Sequence, residues 1–200
     1  MARKRKADHE AVLASALDLF WNEGYAGANT RAIEEKTGLT RFTLQTVYGG
    51  KESFFLETLD AYLDNAEANH FPDPDKCDLE GLANWFEHLA SPERIPAIDQ
   101  VGCLAFNSIG AFEPDNDAIN QRINRYLKSF EGRAQAIVRR EKVRGGFVSD
   151  LSAEDAGRIL LDLLLGLHGI IKAREDDATA RSHALSMANL IRSWVKSTNN

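Results

Sequence analysis

The sequence predicts an all-α protein built in two parts. Apolar residues recur every three to four positions along almost the whole chain, and no stretch alternates as a strand would. Glycines and prolines separate these amphipathic segments where one helix should end and the next begin. With 200 residues, of which 44% are hydrophobic, the chain has enough apolar side chains for the core of a globular protein.

Four helices are predicted in the first third of the chain, each bounded by a capping or turn residue. The side chains of Asn29 and Thr40 can accept a hydrogen bond from the first turn of a helix. Gly38 supplies the turn between the two helices that these residues begin, and Gly49 and Gly50 interrupt the chain again. The first helix is predicted to end at Gly24, and the next three to span 29–36, 40–47 and 51–68.

Five further helices are predicted after the break at Pro72 and Pro74. Ser152, with Glu154 and Asp155 behind it, resembles a capping box at the start of one of them. The centre of that helix, 159–171, is apolar around almost its whole circumference, so it must be covered on more than one side. The five helices are expected near 79–89, 103–112, 119–142, 152–174 and 179–196.

The last two helices, near 152–174 and 179–196, have more apolar surface than one fold of this size can easily cover. We therefore expect a homodimer in which both helices of each chain form a four-helix bundle across a two-fold axis. The alternative is that residues 75–145 cover both faces within a single chain.

The net charge of -6 is unevenly distributed along the chain. Residues 1–51 contain 8 lysines and arginines against 6 acidic residues, whereas residues 52–200 contain 16 against 24. A basic first quarter on an acidic body suggests a small module that binds a polyanion, followed by a larger domain. The basic run at residues 3–6 is interpreted equally well as an arm along DNA and as a solvated tail.

Several classes of protein are excluded by what the sequence lacks. The densest apolar stretch, 159–171, is interrupted by Asp162 and Gly166 and is no membrane span, and the amino terminus does not resemble a secretory signal, so we expect a cytoplasmic protein. Cys77 and Cys103 are too few for a disulfide framework or a four-cysteine metal site. Because motifs for nucleophilic, phosphate-binding or metal chemistry are absent, we predict no enzyme activity, no cofactor and no metal.

The most specific pattern in the chain lies between residues 29 and 51. Around Gly38, apolar residues fall where a helix-turn-helix packs its two helices together, namely Ile33, Leu39, Leu44 and Val47. The exposed face of the second helix is then predicted to be Thr40, Arg41, Phe42, Thr43, Gln45 and Thr46. Arginine can pair with guanine and glutamine with adenine, while phenylalanine or a threonine methyl can touch the thymine methyl. The helix over 40–47 is therefore a candidate reader of the DNA major groove.

This part of the chain resembles the TetR-type transcriptional repressors. The resemblance covers residues 11–60, where the following fall in the family's order and spacing: Leu13, Ala16, Leu19, Phe20, Gly24, Tyr25, Asn29, Ile33, Gly38, Leu39, Thr40, Arg41, Thr43, Leu44, Tyr48, Lys51 and Glu52. It implies a three-helix DNA-binding domain over 1–51 and a helical ligand-binding and dimerisation domain over 52–200, with a linker helix starting near 51. It also implies that phosphate groups are contacted by Asn29, Thr30, Arg31, Tyr48 and Lys51.

Several positions depart from the family's pattern. Phe42 stands where a small residue is usual, Gln45 and Thr46 replace an aromatic residue and a histidine, and Glu34 replaces a small alanine. The resemblance implies a homodimeric repressor that binds a near-palindromic operator in double-stranded DNA, one half-site to each chain. The departures keep an alternative open, which is a helical adaptor or antirepressor that has lost sequence-specific DNA binding.

The resemblance also implies that the second domain binds an effector, whose identity the sequence does not give. Candidate pocket residues lie on apolar faces with polar interruptions: Trp85, Phe86, Phe106, Asn107, Tyr126, Phe130 and His168. Gly102, Cys103 and Leu104 followed by Asn107 resemble a motif of family members that sense electrophiles. Cys103 is therefore either a reactive sensor or a packed core residue, and the effector is an unknown small molecule or an electrophile.

Overall fold

A computed structural model describes residues 2–91, 93, 102–112, 116–173 and 177–196, except the side chains of residues 2–8 and 177. In these ranges all regular structure is helical apart from one isolated β-bridge, which confirms the predicted all-α class. None of the described helices is long and apolar enough to cross a membrane. The helices are α1 (Ala2–Gly27), α2 (Thr30–Thr37), α3 (Arg41–Val47), α4 (Lys51–Asn69), α5 (Leu79–Leu89), α6 (Leu104–Ser108), α7 (Asp117–Arg144), α8 (Ala153–Lys172) and α9 (Asp177–Arg192).

The first of two compact units contains the chain up to Asn69 together with Asn107–Asn124. Its core is aromatic: Phe20 of α1 contacts Phe54 and Phe55 of α4, with ring centroids 6.1 and 5.0 Å apart. All three rings are buried, so α1 and α4 together form the support on which the shorter helices pack. The unit includes all of α4 and so extends beyond residue 51. The boundary between a DNA-binding and a ligand-binding domain near residue 51 therefore stays a prediction.

The predicted caps of the short helices are confirmed. Asn29 Oδ1 accepts the Ala32 N–H at 3.0 Å at the start of α2, and Thr40 Oγ1 accepts the Thr43 N–H at 3.1 Å at the start of α3. Gly38 between them has φ 72°, a conformation that glycine adopts without strain. Because each cap satisfies an otherwise unpaired backbone donor, local sequence fixes where α2 and α3 begin.

The second compact unit contains His70–Phe106 and Arg125–Asn200 as far as they are described. Gly157 lets α8 lie close against α7, since a Cβ at that position would come within 2.4 Å of Gln135 Cγ. Arg192 at the end of α9 joins α5 by ion pairs of 2.8 Å to Glu80 and 2.5 Å to Glu87. These contacts hold the helices of the unit around a core of apolar side chains.

The end of α9 differs from the prediction. The helix ends at Arg192 rather than near residue 196, because the chain turns and Val195 pairs with Phe147 in an antiparallel bridge. The Lys196 N–H donates to the Gly146 carbonyl at 2.8 Å, a long-range contact that local periodicity cannot reveal. The helix predicted near 103–112 is also shorter and spans Leu104–Ser108. At the start of α8, by contrast, Ser152 accepts the Asp155 N–H as predicted.

Candidate functional site

The outer face of α3 is anchored by one buried residue. Leu44 is 3% exposed and packs in the core of the first unit. Residues two positions away on either side lie on the opposite side of a helix, so Phe42 and Thr46 point outward. Arg41 and Gln45 are exposed beside them, and the Phe42 side chain is 76% exposed. The predicted groove-reading face is therefore accessible, with Thr43 half-buried at its edge.

Val47 is not the core residue that the spacing predicts. Its side chain is 69% exposed, because α3 ends there and the chain turns away through Gly49 at φ 75°. The apolar contact at this end of the helix is made instead by Tyr48, whose ring lies 4.7 Å from that of Phe54. Only Leu44 of α3 is buried, so a single side chain anchors the helix from below.

The hydroxyl groups of α3 are engaged within the helix. Thr46 Oγ1 donates to the Phe42 carbonyl at 2.8 Å, and the hydroxyls of Thr40 and Thr43 lie 3.0 Å apart. The centre of the outer face consequently presents the Phe42 ring and the Thr46 methyl group. The Arg41 guanidinium and the Gln45 amide, four residues apart, lie along one side of this centre.

Glu34 has a role that its position in the family pattern does not suggest. Its Oε1 accepts the Arg41 N–H at 2.5 Å, and so it joins α2 to the amino terminus of α3. The Arg41 N–H lies in the first turn of α3 and has no partner within that helix, so the carboxylate supplies its acceptor. The negative charge also faces the positive end of the α3 dipole. A glutamate at residue 34 therefore links α2 to the start of α3 by a contact that a small side chain could not make.

Three of the predicted phosphate contacts cluster at the start of α2. Asn29 caps the helix and is exposed, and Thr30 is its first residue. The Arg31 guanidinium pairs with Glu35 at 2.8 Å, but its side chain is 86% exposed. Surface pairs of this kind are weak, so Arg31 can exchange its partner for a phosphate at little energetic cost.

Lys51 stands at the start of α4 above an aromatic ring. Its Nζ lies 4.4 Å from the ring centroid of Tyr25. Partial burial lowers the pKa of Lys51 from its ordinary value, and burial followed by the charge of Glu52 raises the pKa of Tyr25. The aromatic face restricts where the ammonium group can lie, which suits a positioning contact.

Tyr48 belongs to a hydrogen-bonded chain that sequence spacing does not predict. Its hydroxyl lies 3.2 Å from His9 Nδ1, and His9 Nε2 lies 3.0 Å from Glu57 Oε1. The His9 and Tyr48 rings are nearly parallel, with centroids 5.8 Å apart. Burial, followed by the charge of Glu57, raises the pKa of Tyr48, so the phenol keeps its hydrogen.

Four of the predicted effector residues lie together in the second unit. Trp85 stacks on Phe130 at 5.4 Å and meets Phe86 edge-on at 5.3 Å. Phe71, which the sequence does not single out, contacts both Tyr126 at 4.8 Å and Phe130 at 5.4 Å. We call these five rings the aromatic cluster. It gathers residues that are up to 59 positions apart in the chain.

The remaining effector candidates lie outside this cluster or at its edge. Cys103 is 4% exposed, with its Sγ 3.9 Å from the Tyr126 hydroxyl. Phe106 and His168 face each other with ring centroids 6.5 Å apart. Asn107 is half-buried on α6 and groups with the first unit.

Two further predictions concern basic and metal-ligating residues. The side chains of the basic run at residues 3–6 lie outside the described residues, so its two interpretations stay open. Among the residues whose positions are described, no three histidine, cysteine, aspartate or glutamate side chains are grouped so that they could hold a metal ion.

Comparison with known proteins gives relatives along nearly the whole chain. No protein-family model matches. In sequence, the chain is 26% identical over 179 residues to the HTH-type transcriptional repressor ComR of Escherichia coli (strain K12), which covers 86% of this chain and 82% of the relative. In structure, it matches a TetR-family transcriptional regulator from Cytophaga hutchinsonii with a TM-score of 0.82 at 16% identity, over 94% of this chain and 95% of that one.

A second solved structure that resembles this chain contains operator DNA. It is a cysteine mutant of the TetR-family regulator CifR complexed with a 26-base-pair operator DNA, with a TM-score of 0.70 and 23% identity over 92% of this chain and 95% of that one. All three proteins are named as transcriptional regulators, not as enzymes. The predicted resemblance is therefore confirmed: the chain has the fold of the TetR-family transcriptional regulators and resembles a helix-turn-helix repressor along most of its sequence.

Proposed function

We propose that the protein is a homodimeric, ligand-responsive repressor that binds a near-palindromic operator through α3 and acts in the cytoplasm. The observation that carries this proposal is the outer face of α3. Phe42, Gln45 and Arg41 are exposed on it, while the buried Leu44 holds the helix from the opposite side. A short helix anchored in this way can enter the major groove without unfolding its own support.

The two polar side chains of this face would read bases by hydrogen bonds. A guanidinium pairs with guanine and an amide with adenine, and each good pair discriminates by about 1–3 kcal/mol. Phe42 and the Thr46 methyl lie beside the neighbouring Arg41 and Gln45, and no charge on them would oppose a thymine methyl group. Apolar atoms at the centre of the face favour a half-site with thymine at its middle.

The groups around α3 would fix its register on the duplex. The amino termini of α2 and α4 carry backbone donors that suit phosphate oxygens. Arg31 and Lys51 stand in the first turns of these two helices and add positive charge. Such contacts position the module on any duplex and contribute affinity without sequence discrimination.

Dimerisation would cover apolar side chains that one chain leaves accessible. Leu185 and Leu190 on α9 are 49% and 42% exposed. On α8, a buried stripe alternates with half-buried apolar residues, which are Ile159, Leu161, Leu163, Leu165 and Ile170. Packing α8 and α9 against the same helices of a second chain would remove this surface from water.

The effector would enter the second unit near the aromatic cluster. Trp85 and Tyr126 combine apolar rings with polar tips, and the Trp85 Nε1–H donates to the His70 carbonyl at 2.7 Å. In a dimer, each chain contributes one α3 with its supporting helices, which we call a reading head. A ligand that favours an unsuitable spacing of the two reading heads would shift the population away from the DNA-binding form.

An electrophile could act instead through Cys103. In that case Cys103→Ser leaves DNA binding intact and abolishes release by the electrophile. Equal release of wild type and Cys103→Ser from DNA contradicts sensing by this thiol.

The proposal is tested by selecting genomic fragments on the purified protein at near-physiological salt and sequencing the retained DNA. The expected result is enrichment of a near-palindrome, and the genes beside it would indicate the chemistry of the effector. The selection is repeated on protein that has been unfolded and refolded, so that any inducer bound during purification is removed. Absence of enrichment in both selections contradicts the proposal and favours the adaptor or antirepressor with the same fold.

A further inference from the structure

The chain of hydrogen bonds through His9 links three parts of the first unit. His9 lies on α1, Tyr48 directly follows α3, and Glu57 lies on α4. The hydrogen bond of 3.2 Å to Tyr48 and the ion-pair contact of 3.0 Å to Glu57 use both ring nitrogens of the histidine. The His9 and Glu57 side chains are 39% and 44% exposed, so solvent reaches both groups.

The neutral histidine fixes the direction of both hydrogen bonds. An ionised carboxylate only accepts hydrogen bonds, so the Nε2 atom of His9 must donate to Glu57. A neutral imidazole has a single N–H, which leaves Nδ1 as an acceptor. The Tyr48 hydroxyl must then donate to His9, and its only hydrogen is no longer free for a phosphate.

Protonation of the ring reverses the second hydrogen bond. Both nitrogens of an imidazolium donate, so Nδ1–H donates to the Tyr48 oxygen. The phenol hydrogen is thereby released. It can point toward solvent, where a phosphate oxygen of DNA would accept it in a charge-assisted hydrogen bond.

We propose that His9 is a positioning residue for DNA binding, and that its protonation converts Tyr48 from a donor to His9 into a donor to a DNA phosphate. This inference rests on the proposed function, since it assumes that Tyr48 meets the DNA backbone. It makes operator binding a proton-linked process in which the complex takes up one proton per reading head.

The groups that face His9 are consistent with this role. Glu57 faces the ring from α4 with a carboxylate oxygen, while Tyr48 faces it from the end of α3. On α1 itself, the charged residues next to His9 in sequence are Asp8 and Glu10; Glu10 is exposed, and the side chain of Asp8 lies outside the described residues. Phe54 packs on the opposite side of Tyr48 and brings no charge. The Tyr48 ring therefore contacts both an apolar ring and the imidazole.

The test measures the affinity for a selected operator fragment between pH 6 and pH 8 at constant ionic strength, by fluorescence anisotropy. Wild type is expected to bind about a hundredfold more tightly at pH 6, which is roughly tenfold for the one charge-assisted hydrogen bond that each of the two heads gains. His9→Gln and Tyr48→Phe should each remove this pH dependence. Glu57→Gln should reduce it, because an amide no longer forces Nε2 to donate. His88→Gln changes a histidine on α5 that also lies beside a hydroxyl, that of Ser91, and should keep the full dependence.

Thermal unfolding of each variant shows whether it is folded. If His9→Gln is not folded, Tyr48→Phe still tests the inference. The inference is overturned if wild-type affinity does not change with pH, or if His9→Gln weakens binding by the same factor at every pH. It is also overturned if the dependence survives in Tyr48→Phe. In each of these cases the operator is still bound and the proposed function stands. If wild type binds no fragment selectively at any pH, it is the proposed function that fails.

Discussion

The two compact units present their candidate functional residues in opposite ways. In the first unit they lie outward on a seven-residue helix, where Phe42 is 76% exposed and a single residue, Leu44, is buried. In the second unit they are turned inward, and Phe86 and Phe130 are at most 1% exposed. A surface that reads a macromolecule can change its side chains without loss of the core. A buried site cannot, because the rings proposed to bind the effector also hold the fold together.

The largest expected effect tests whether the aromatic cluster of the second unit is part of the packed core. Phe130→Ala removes the ring that contacts both Phe71 and Trp85, and we expect a loss of about 3–5 kcal/mol of unfolding free energy. Val143→Ala is the control on the same helix; because Val143 is 89% exposed, it should change stability by less than about 0.5 kcal/mol. Denaturant unfolding followed by circular dichroism measures both. A loss below about 1 kcal/mol for Phe130→Ala would mean that the aromatic cluster is not packed core.

A smaller effect is expected in the first unit. Glu34→Ala leaves the Arg41 N–H without its carboxylate partner, which should lower stability by about 1–3 kcal/mol and weaken operator binding. Glu34→Gln keeps an acceptor and should recover most of the loss. Glu35→Ala breaks only the exposed pair with Arg31, for which about 0–1 kcal/mol is expected. If Glu34→Ala is no worse than Glu35→Ala in urea unfolding, the carboxylate does not hold α3.

The smallest effect concerns the reactivity of the Cys77 thiol. Burial, followed by the charge of Asp78, raises the pKa of Cys77 to about 11. Only the thiolate is alkylated, so in a Cys103→Ser background the rate of reaction with iodoacetamide should rise about tenfold per pH unit between pH 8 and pH 10. The unfolded chain should react roughly a hundredfold faster at pH 8. A rate that levels off by pH 9 in the folded protein would contradict this environment.

Much of the fold follows from local sequence. Asn29, Thr40 and Ser152 cap helices as predicted, because a capping side chain contacts backbone only two or three residues away. The exposed face of α3 is likewise predicted, since helical spacing fixes which residues lie opposite Leu44. Val47 is wrongly predicted as core, although the end of the helix is predicted, because spacing does not show that the chain turns away through Gly49 and that Tyr48 makes the apolar contact instead.

The contacts that tune the candidate sites could not be predicted. His9 is 39 residues from Tyr48, and no periodicity relates a residue on α1 to the end of α3. Phe71 joins the aromatic cluster from a loop that the sequence marks only as a helix break. The early end of α9 has the same origin, since the bridge between Val195 and Phe147 competes with one more helical turn. Each of these depends on which segments meet in space.

The most direct test of the central claim, that α3 reads DNA, measures affinity for the selected operator and for a scrambled duplex of equal length at one salt concentration. Arg41→Ala and Gln45→Ala should each lose about 1–3 kcal/mol of discrimination between the two duplexes. Lys51→Ala should weaken both duplexes alike, because a phosphate contact carries no sequence information. If all three variants keep the wild-type affinity and discrimination, α3 is not the reading helix.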